Sequence, residues 1–309
     1  MTLEALKKIL SDSFDVFGVM HKETYEKAMI EKEKPFPIIP YQTIVVVGIT
    51  YPRRTLKHTK THLVPSFYTF GQDYHEVLKT RIERCFEGLK VPYSYGVDNH
   101  PHDERLAAVL AGIGFFGKNQ LIINDTFGSY LFLGMVFVDL KIDREFILEV
   151  IDDCKDCRIC LDACPTKAIS ETGYEVSKCI SHYNQTKRLL SDFEMDKNYA
   201  LFGCDICQMV CPKNVKKGQK VHKEFELSGK EMVSIEDLFT LSEKQFKEKY
   251  AHMAYLWKGK TLLMRNALML MNKSKNDLYY NLIESTLTKY SMPWYHETAK
   301  KVLKNLKGV

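Results

Sequence analysis

Eight of the nine cysteines in this chain stand at spacings suited to redox chemistry. Cys154-x2-Cys157-x2-Cys160-x3-Cys164-Pro165 is followed by a lone Cys179 and then by Cys204-x2-Cys207-x3-Cys211-Pro212. In iron–sulfur runs of this spacing, three cysteines hold one cluster and the fourth reaches to another. Eight thiolates satisfy two [4Fe-4S] clusters at four ligands each, with none left over. The ferredoxin pattern crosses the ligands. Cys154, Cys157, Cys160 and Cys211 are expected on one cluster, and Cys164, Cys179, Cys204 and Cys207 on the other. Cys179 then replaces the missing first cysteine of the second run. Clusters of this kind pass single electrons, so the sequence predicts electron transfer before it names a destination.

Other uses of these cysteines fit less well. Cysteines two residues apart rarely meet disulfide geometry, and no secretory signal precedes them. Zinc competes for any C-x2-C pair, but zinc ribbons separate their pairs by a longer spacer. The ninth, Cys85, falls in a helical pattern and reads as a half-buried thiol.

A second candidate site lies upstream. Residues 93–105, YSYGVDNHPHDER, form the densest cluster of titratable groups in the N-terminal half. Asp98 follows an apolar strand end and precedes a proline-containing turn, so partial burial is expected to raise its pKa toward proton donation. The plainer alternative makes Asp98 a turn or N-cap residue. Asp103 and Glu104 read as first-turn acids of the next helix. Gly112-Ile-Gly114-Phe-Phe-Gly117 matches the letters of a dinucleotide fingerprint. That fingerprint must follow a strand and open a helix, whereas here a helical stretch comes first. These glycines therefore read as a helix C-cap and a tight turn, not a nicotinamide site.

The elements that must position these groups are legible in outline. Residues 1–30 read as helical. Thr43–Thr50 is a continuous β-branched run, the pattern of a strand buried on both faces. Asp73–Leu89 reads as an amphipathic helix, Tyr93–Val97 as a short strand and Glu104–Ala111 as a helix. Leu121–Ile123 and Tyr130–Leu140 complete the strands. This alternation predicts an α/β domain over 1–143, a ferredoxin-like two-cluster domain over 144–225, and a short helical-repeat region over 226–309. In the last part, 261–271 and 279–290 carry the helical pattern.

At 309 residues and 45% hydrophobic content, the chain can form two or three packed domains. No run reaches the length of a membrane span and no leader is visible, so a cytoplasmic, membrane-free protein is expected. The net charge of +5 is modest but uneven. Lys213, Lys216, Lys217, Lys220 and Lys223 crowd beside the last cysteine, Lys258, Lys260 and Arg265 form a second stretch, and Lys300, Lys301, Lys304 and Lys307 a third. Solvated lysines explain each stretch alone. Together they favour a polyanionic partner such as RNA. Tyr255, Trp257, Trp294 and Tyr295 fit base stacking and core packing equally well.

Two classes remain on these grounds: an enzyme whose α/β domain holds a second redox cofactor, or an electron carrier with an accessory domain. The size of the α/β domain favours the enzyme. The chain also resembles the epoxyqueuosine reductases, cobalamin-dependent iron–sulfur enzymes of queuosine synthesis in tRNA. The resemblance rests on TFGQDYHEVLK (69–79), GVDNHPHDERLA (96–107), AGIGFFGKN (111–119), CKDCRICLDACPTKAI (154–169), KCISHYNQTK (178–187), FGCDICQMVCPKN (202–214) and WKGKTLLMRNA (257–267). Corrinoid reductive dehalogenases share the cobalamin–cluster arrangement, but are typically exported, and no twin-arginine leader is seen here.

The resemblance implies that the α/β domain binds base-off cobalamin, without a histidine ligand from the protein. It implies Asp98 as proton donor and also a cofactor neighbour, with Ser66, Ile122, Leu133, Ser181 and Asp205 as corrin contacts and Lys32 and Arg105 in the same role. Lys187, Lys213 and the 257–265 stretch resemble the part that faces tRNA, near the anticodon that carries epoxyqueuosine. The implied reaction reduces the epoxide of epoxyqueuosine to the alkene of queuosine, electrons passing from the two clusters to cobalamin. An external one-electron donor such as a ferredoxin or flavodoxin would feed the clusters, and a monomer is expected. Longer members continue past the first helical repeats where this sequence ends.

Overall fold

The computed structural model describes residues 2–150 and 153–307. By compactness the chain divides into two units. The first takes 1–53, 74–157 and 211–224, and the second takes 54–73, 158–210 and 225–309.

The first unit is built on a four-stranded sheet with helices on both faces. Helix α1 (Leu3–Ser13) opens with Thr2 accepting the Ala5 N–H, and buries Leu3, Leu6 and Leu10 along one stripe. Strand β1 (Val16–His21) follows, then α2 (Lys22–Glu31) and β2 (Thr43–Thr50). Helix α3 (Tyr74–Glu87), β3 (Tyr93–Gly96), α4 (Glu104–Leu110) and β4 (Leu131–Val138) complete it. The strand order is β1-β2-β4-β3 and every pairing is antiparallel. Val16 faces Gly48, Thr43 faces Val138, and Gly96 faces Met135.

Every residue of β2 is buried, as its apolar run requires. Ile44, Val46, Met135 and Phe137 pack with Leu106, Ala107 and Ala108 of α4. Gly134 of β4 lies under Ile82 of α3, on the opposite face. The alternation of strands and helices is as the sequence implied, but alternation does not fix strand direction. The sheet is antiparallel, so the rule that places ligands at the carboxyl ends of parallel strands does not locate this site.

The helical reading of residues 1–30 is corrected: β1 separates α1 from α2. Val16–His21 becomes a strand because β2 supplies six consecutive backbone partners. The glycine motif is a helix stop. Gly112 takes φ +71° directly after α4, and the Ile113 N–H reaches back to Ala108 O at 2.8 Å. That is the left-handed cap expected of glycine. The chain then makes a short antiparallel pair, Phe115–Phe116 with Ile122–Ile123.

The second unit holds short helices around the cysteine loops: α5 (Ile159–Ala163), α6 (Ile180–Tyr183), α7 (Asp192–Lys197) and α8 (Ile206–Met209). Helices α9 (Ile235–Thr240), α10 (Glu243–Lys249), α11 (Lys260–Ser274), α12 (Tyr280–Thr286) and α13 (Pro293–Leu306) follow. Leu262, Leu263, Ala267, Leu270, Ile283, Val302 and Leu303 share one core with Leu238 and Phe239. Besides helices, this part contributes the two-residue strand Val233–Ser234, paired with His62–Leu63. Among the described residues, no helix is long and apolar enough to cross a membrane.

Candidate active site

Among the described residues, none of the nine cysteines is in a disulfide. In the second unit, helix ends bring four of the predicted ligands together. Cys164 caps the end of α5, Cys179 precedes α6, Cys204 precedes α8 and Cys207 lies within it. Burial and the neighbouring Cys179 and Asp205 push the Cys204 thiol up to about 12, against an opposing hydrogen bond from Tyr199. Cys207 is raised further, first by burial and then by Cys204, Cys179, Cys160 and Cys164. In the first unit Cys211 is raised by burial, with Cys154 and Cys157 adding to it.

Sulfurs that discourage one another's ionisation need a shared cation to stay together as thiolates. The donor set therefore fits clusters that give each sulfur its own iron. Among the described residues no three His, Cys, Asp or Glu side chains could hold a single metal ion. Cys85 lies in α3 as its pattern indicated, but it is buried rather than half-buried.

The acid–base corner belongs to the first unit. Asp98 follows β3 and takes φ +57°, the turn geometry of the plainer sequence reading. Its Oδ2 accepts from Tyr74 Oη at 3.0 Å and from His75 Nε2 at 3.2 Å. Both donors come from the start of α3, where Tyr74 stacks between the His75 ring and Phe132 of β4. The expectation that burial raises the Asp98 pKa is corrected. The side chain is 55% exposed, and the His75 hydrogen bond lowers the pKa, with Tyr74 assisting. Burial falls instead on Glu104, whose pKa is raised by desolvation. Asp103 is the N-cap, accepting the Leu106 N–H at 3.0 Å.

The other predicted residues divide between the units. Lys32 is exposed at the end of α2. Arg105 is exposed on α4 and donates to Gln120 O at 3.1 Å, while Ile122 and Leu133 are buried on the short pair and β4. In the second unit, Ser66 and Asp205 meet: Ser66 Oγ donates to Oδ1, and the Phe67 N–H to Oδ2 at 3.2 Å. Burial pushes Asp205 up to about 7. Ser181 on α6 accepts from Gln185 Nε2 at 3.1 Å.

The basic stretches are only partly surface. Lys260 and Arg265, expected to face a polyanion, are buried. Lys260 donates to the carbonyls of Leu238 and Leu241. Arg265 donates to those of Asn184, Thr186 and Arg188 at 2.6–3.0 Å, and burial lowers its pKa to about 10. Lys217 and Lys220 are likewise engaged, by Asp125 O and Asp15. Lys187 and Trp257 are exposed, and Lys258 lies 3.5 Å from the Trp257 ring centroid.

Sequence reasoning passed over Tyr74, His75 and the inward turn of Glu104. Nothing in the spacing ties residues 74 and 75 to residue 98. The available signal was a Tyr-His pair at a helix start.

Residues 153–214 match the family described as a 4Fe-4S double cluster binding domain. The epoxyqueuosine reductase of Bacillus subtilis is 33% identical over 268 residues, covering 82% of this chain and 69% of that protein. The epoxyqueuosine reductase of Lactococcus garvieae is 32% identical over 250 residues, covering 76% and 70%. The chain belongs to the epoxyqueuosine reductase family.

Solved epoxyqueuosine reductases share its architecture. A Bacillus subtilis structure, whose catalytic aspartate loop is swung out of the active site, superposes with TM-score 0.84 and 26% identity, covering 98% of this chain and 90% of that one. An epoxyqueuosine reductase solved with an epoxyqueuosine-modified tRNA stem loop superposes with TM-score 0.79 and 25% identity, covering 99% and 97%. The double-cluster domain read from the cysteines is thus matched by that family over residues 153–214.

Proposed function

We propose that the chain is an oxidoreductase that reduces the epoxide of epoxyqueuosine in tRNA to the alkene of queuosine. Membership of the epoxyqueuosine reductase family carries this reading, and the stem loop in the related structure supports tRNA as the partner. Cytoplasmic residence follows from that substrate. The division into 1–143 for cobalamin, 144–225 for clusters and 226–309 as HEAT-like helices is retained as the functional partition, with the crossed cysteine sets as cluster ligands and a monomer as the working unit.

Base-off cobalamin fits the residues of the α/β domain. A corrin periphery is methyl groups and amides, matched by buried Ile122 and Leu133 and by the exposed cations of Lys32 and Arg105. Asn119, in the loop before Ile122, is buried and its Nδ2 has no hydrogen-bond partner among the described residues, a donor suited to an amide oxygen. Ser66, Ser181 and Asp205, given the same role by the family resemblance, belong to the second unit. Cobalamin held there would supply the low-potential chemistry for breaking the carbon–oxygen bond, and the clusters would link it to an external ferredoxin or flavodoxin.

The remaining work falls to side chains. Tyr74 and His75 hold Asp98 by Oδ2 and leave Oδ1 for the oxygen of the opening ring. At rest Asp98 is ionised. Covering the corner with substrate excludes water and shifts its proton equilibrium toward the acid, and His75 is placed to supply the proton. Lys187, Lys213 and the Trp257–Lys258 pair are the groups assigned to RNA.

Anoxic purification with iron analysis, followed by spectroscopic titration with cobalamin, separates this enzyme from a simple electron carrier. The enzyme takes up one cobalamin beside its two clusters. Iron without cobalamin uptake overturns the reading. Binding of the tRNA stem loop should weaken steeply with added salt, and salt-independent binding would remove the lysines from that role.

A further inference from the structure

The turn that presents Asp98 is held from behind. A left-handed backbone is strained for a residue with a Cβ, and it persists where neighbours enforce it. The enforcing group is Glu104, the first residue of α4. Its Oε1 accepts the Asp98 backbone N–H at 3.3 Å and the His100 ring at 3.4 Å. His100 Nδ1 accepts the His102 N–H at 3.4 Å, so the ring proton sits on Nε2 and points to Glu104. The His100 N–H also closes onto Asp98 O at 2.8 Å.

The surroundings are cut to suit this fold-back. A Cβ on Gly96 would overlap the His100 ring. Helix α4 does not need Glu104 as its cap, because Asp103 already fills that position. The Glu104 side chain is only 16% exposed although it belongs to a charged residue in a first helical turn. Its carboxyl is turned away from solvent and toward the Asp98 turn.

We propose that Glu104 is the positioning residue of the acid–base corner: through the Asp98 amide and the His100 ring it fixes the turn that offers the Asp98 carboxylate to the reacting oxygen. Glu104 itself touches no substrate. The inference rests on the reading of Asp98 as proton donor.

The test compares Glu104→Ala, Glu104→Gln, Asp98→Asn and the Asp98→Asn/Glu104→Ala double variant, each as the full chain loaded with clusters and cobalamin. Turnover of an epoxyqueuosine stem loop is measured beside amide hydrogen exchange over residues 96–100. Glu104→Ala should lower kcat by about 10–100-fold with KM within about twofold, as expected of a misplaced catalytic group. Exchange over 96–100 should speed up in the same variant. Glu104→Gln keeps an acceptor oxygen and should recover most of both. In the Asp98→Asn background, Glu104→Ala should cost nothing further. Unchanged exchange and kcat in Glu104→Ala, or an additive loss in the double variant, overturns the proposal. Turnover at the wild-type rate by Asp98→Asn overturns the donor reading instead, and exchange over 96–100 then decides alone whether Glu104 holds the turn.

Discussion

Asp98 and Asp205 carry the same carboxyl group into opposite surroundings. Asp98 is 55% exposed on a left-handed turn, and the bonds from His75 and Tyr74 outweigh the opposing effect of burial, so it stays ionised. Asp205 is 7% exposed, and burial outweighs the bonds from Ser66 and Phe67, which brings it to about 7. Burial decides at one carboxylate and hydrogen-bond donors at the other. The exposed corner is lightly built and open to a reactant. The region around Asp205 and Arg265 is closed and heavily bonded, the character of a support.

The largest effect is expected at Arg265, which donates to the carbonyls of Asn184, Thr186 and Arg188 from a buried position. Arg265→Ala should destabilise the chain by about 3–5 kcal/mol, because each orphaned buried carbonyl costs about 1–3 kcal/mol. Thermal or denaturant unfolding checks it, and a change under about 1 kcal/mol would place Arg265 outside the support. Asp98→Asn should do the reverse. Turnover should fall by about two orders of magnitude while unfolding shifts by no more than about 0.5 kcal/mol. Equal effects on turnover and stability would erase the contrast.

Asp205→Asn should fall between, costing about 1–3 kcal/mol as the bonds from Ser66 and Phe67 are rearranged in a buried site. The smallest effect concerns pH. Asp15 is held well below the ordinary carboxylate range by His222, Lys220 and the Thr50 N–H, despite its burial. A carboxylate with a depressed folded pKa contributes stability above its unfolded value, and that contribution is lost as pH falls below about 4. Asp15→Asn should therefore flatten the acid limb of the stability curve and leave the neutral region lower. An unchanged acid limb would rule out this pairing as the acid-sensitive contact.

The sequence carried the double-cluster domain, the buried strands Thr43–Thr50 and Leu131–Val138, and the glycine stop after α4, because each depends on local spacing or local backbone geometry. What it hid depends on contacts between distant residues. Val16–His21 is a strand because β2 lies beside it. The Asp98 pKa depends on two residues 23 and 24 positions upstream. Lys260 and Arg265 read as surface cations until the carbonyls they serve are seen. Charge counted along a chain does not say which charges are already spoken for.

The most direct measurement is single-turnover reduction of an epoxyqueuosine-containing stem loop by the iron- and cobalamin-loaded chain under anoxic conditions, read by mass spectrometry for loss of one oxygen. Wild type should yield queuosine, and Asp98→Asn should yield almost none while keeping both cofactors. A fully loaded wild-type chain that leaves the epoxide intact, or an Asp98→Asn variant that converts it at the same rate, would contradict the account.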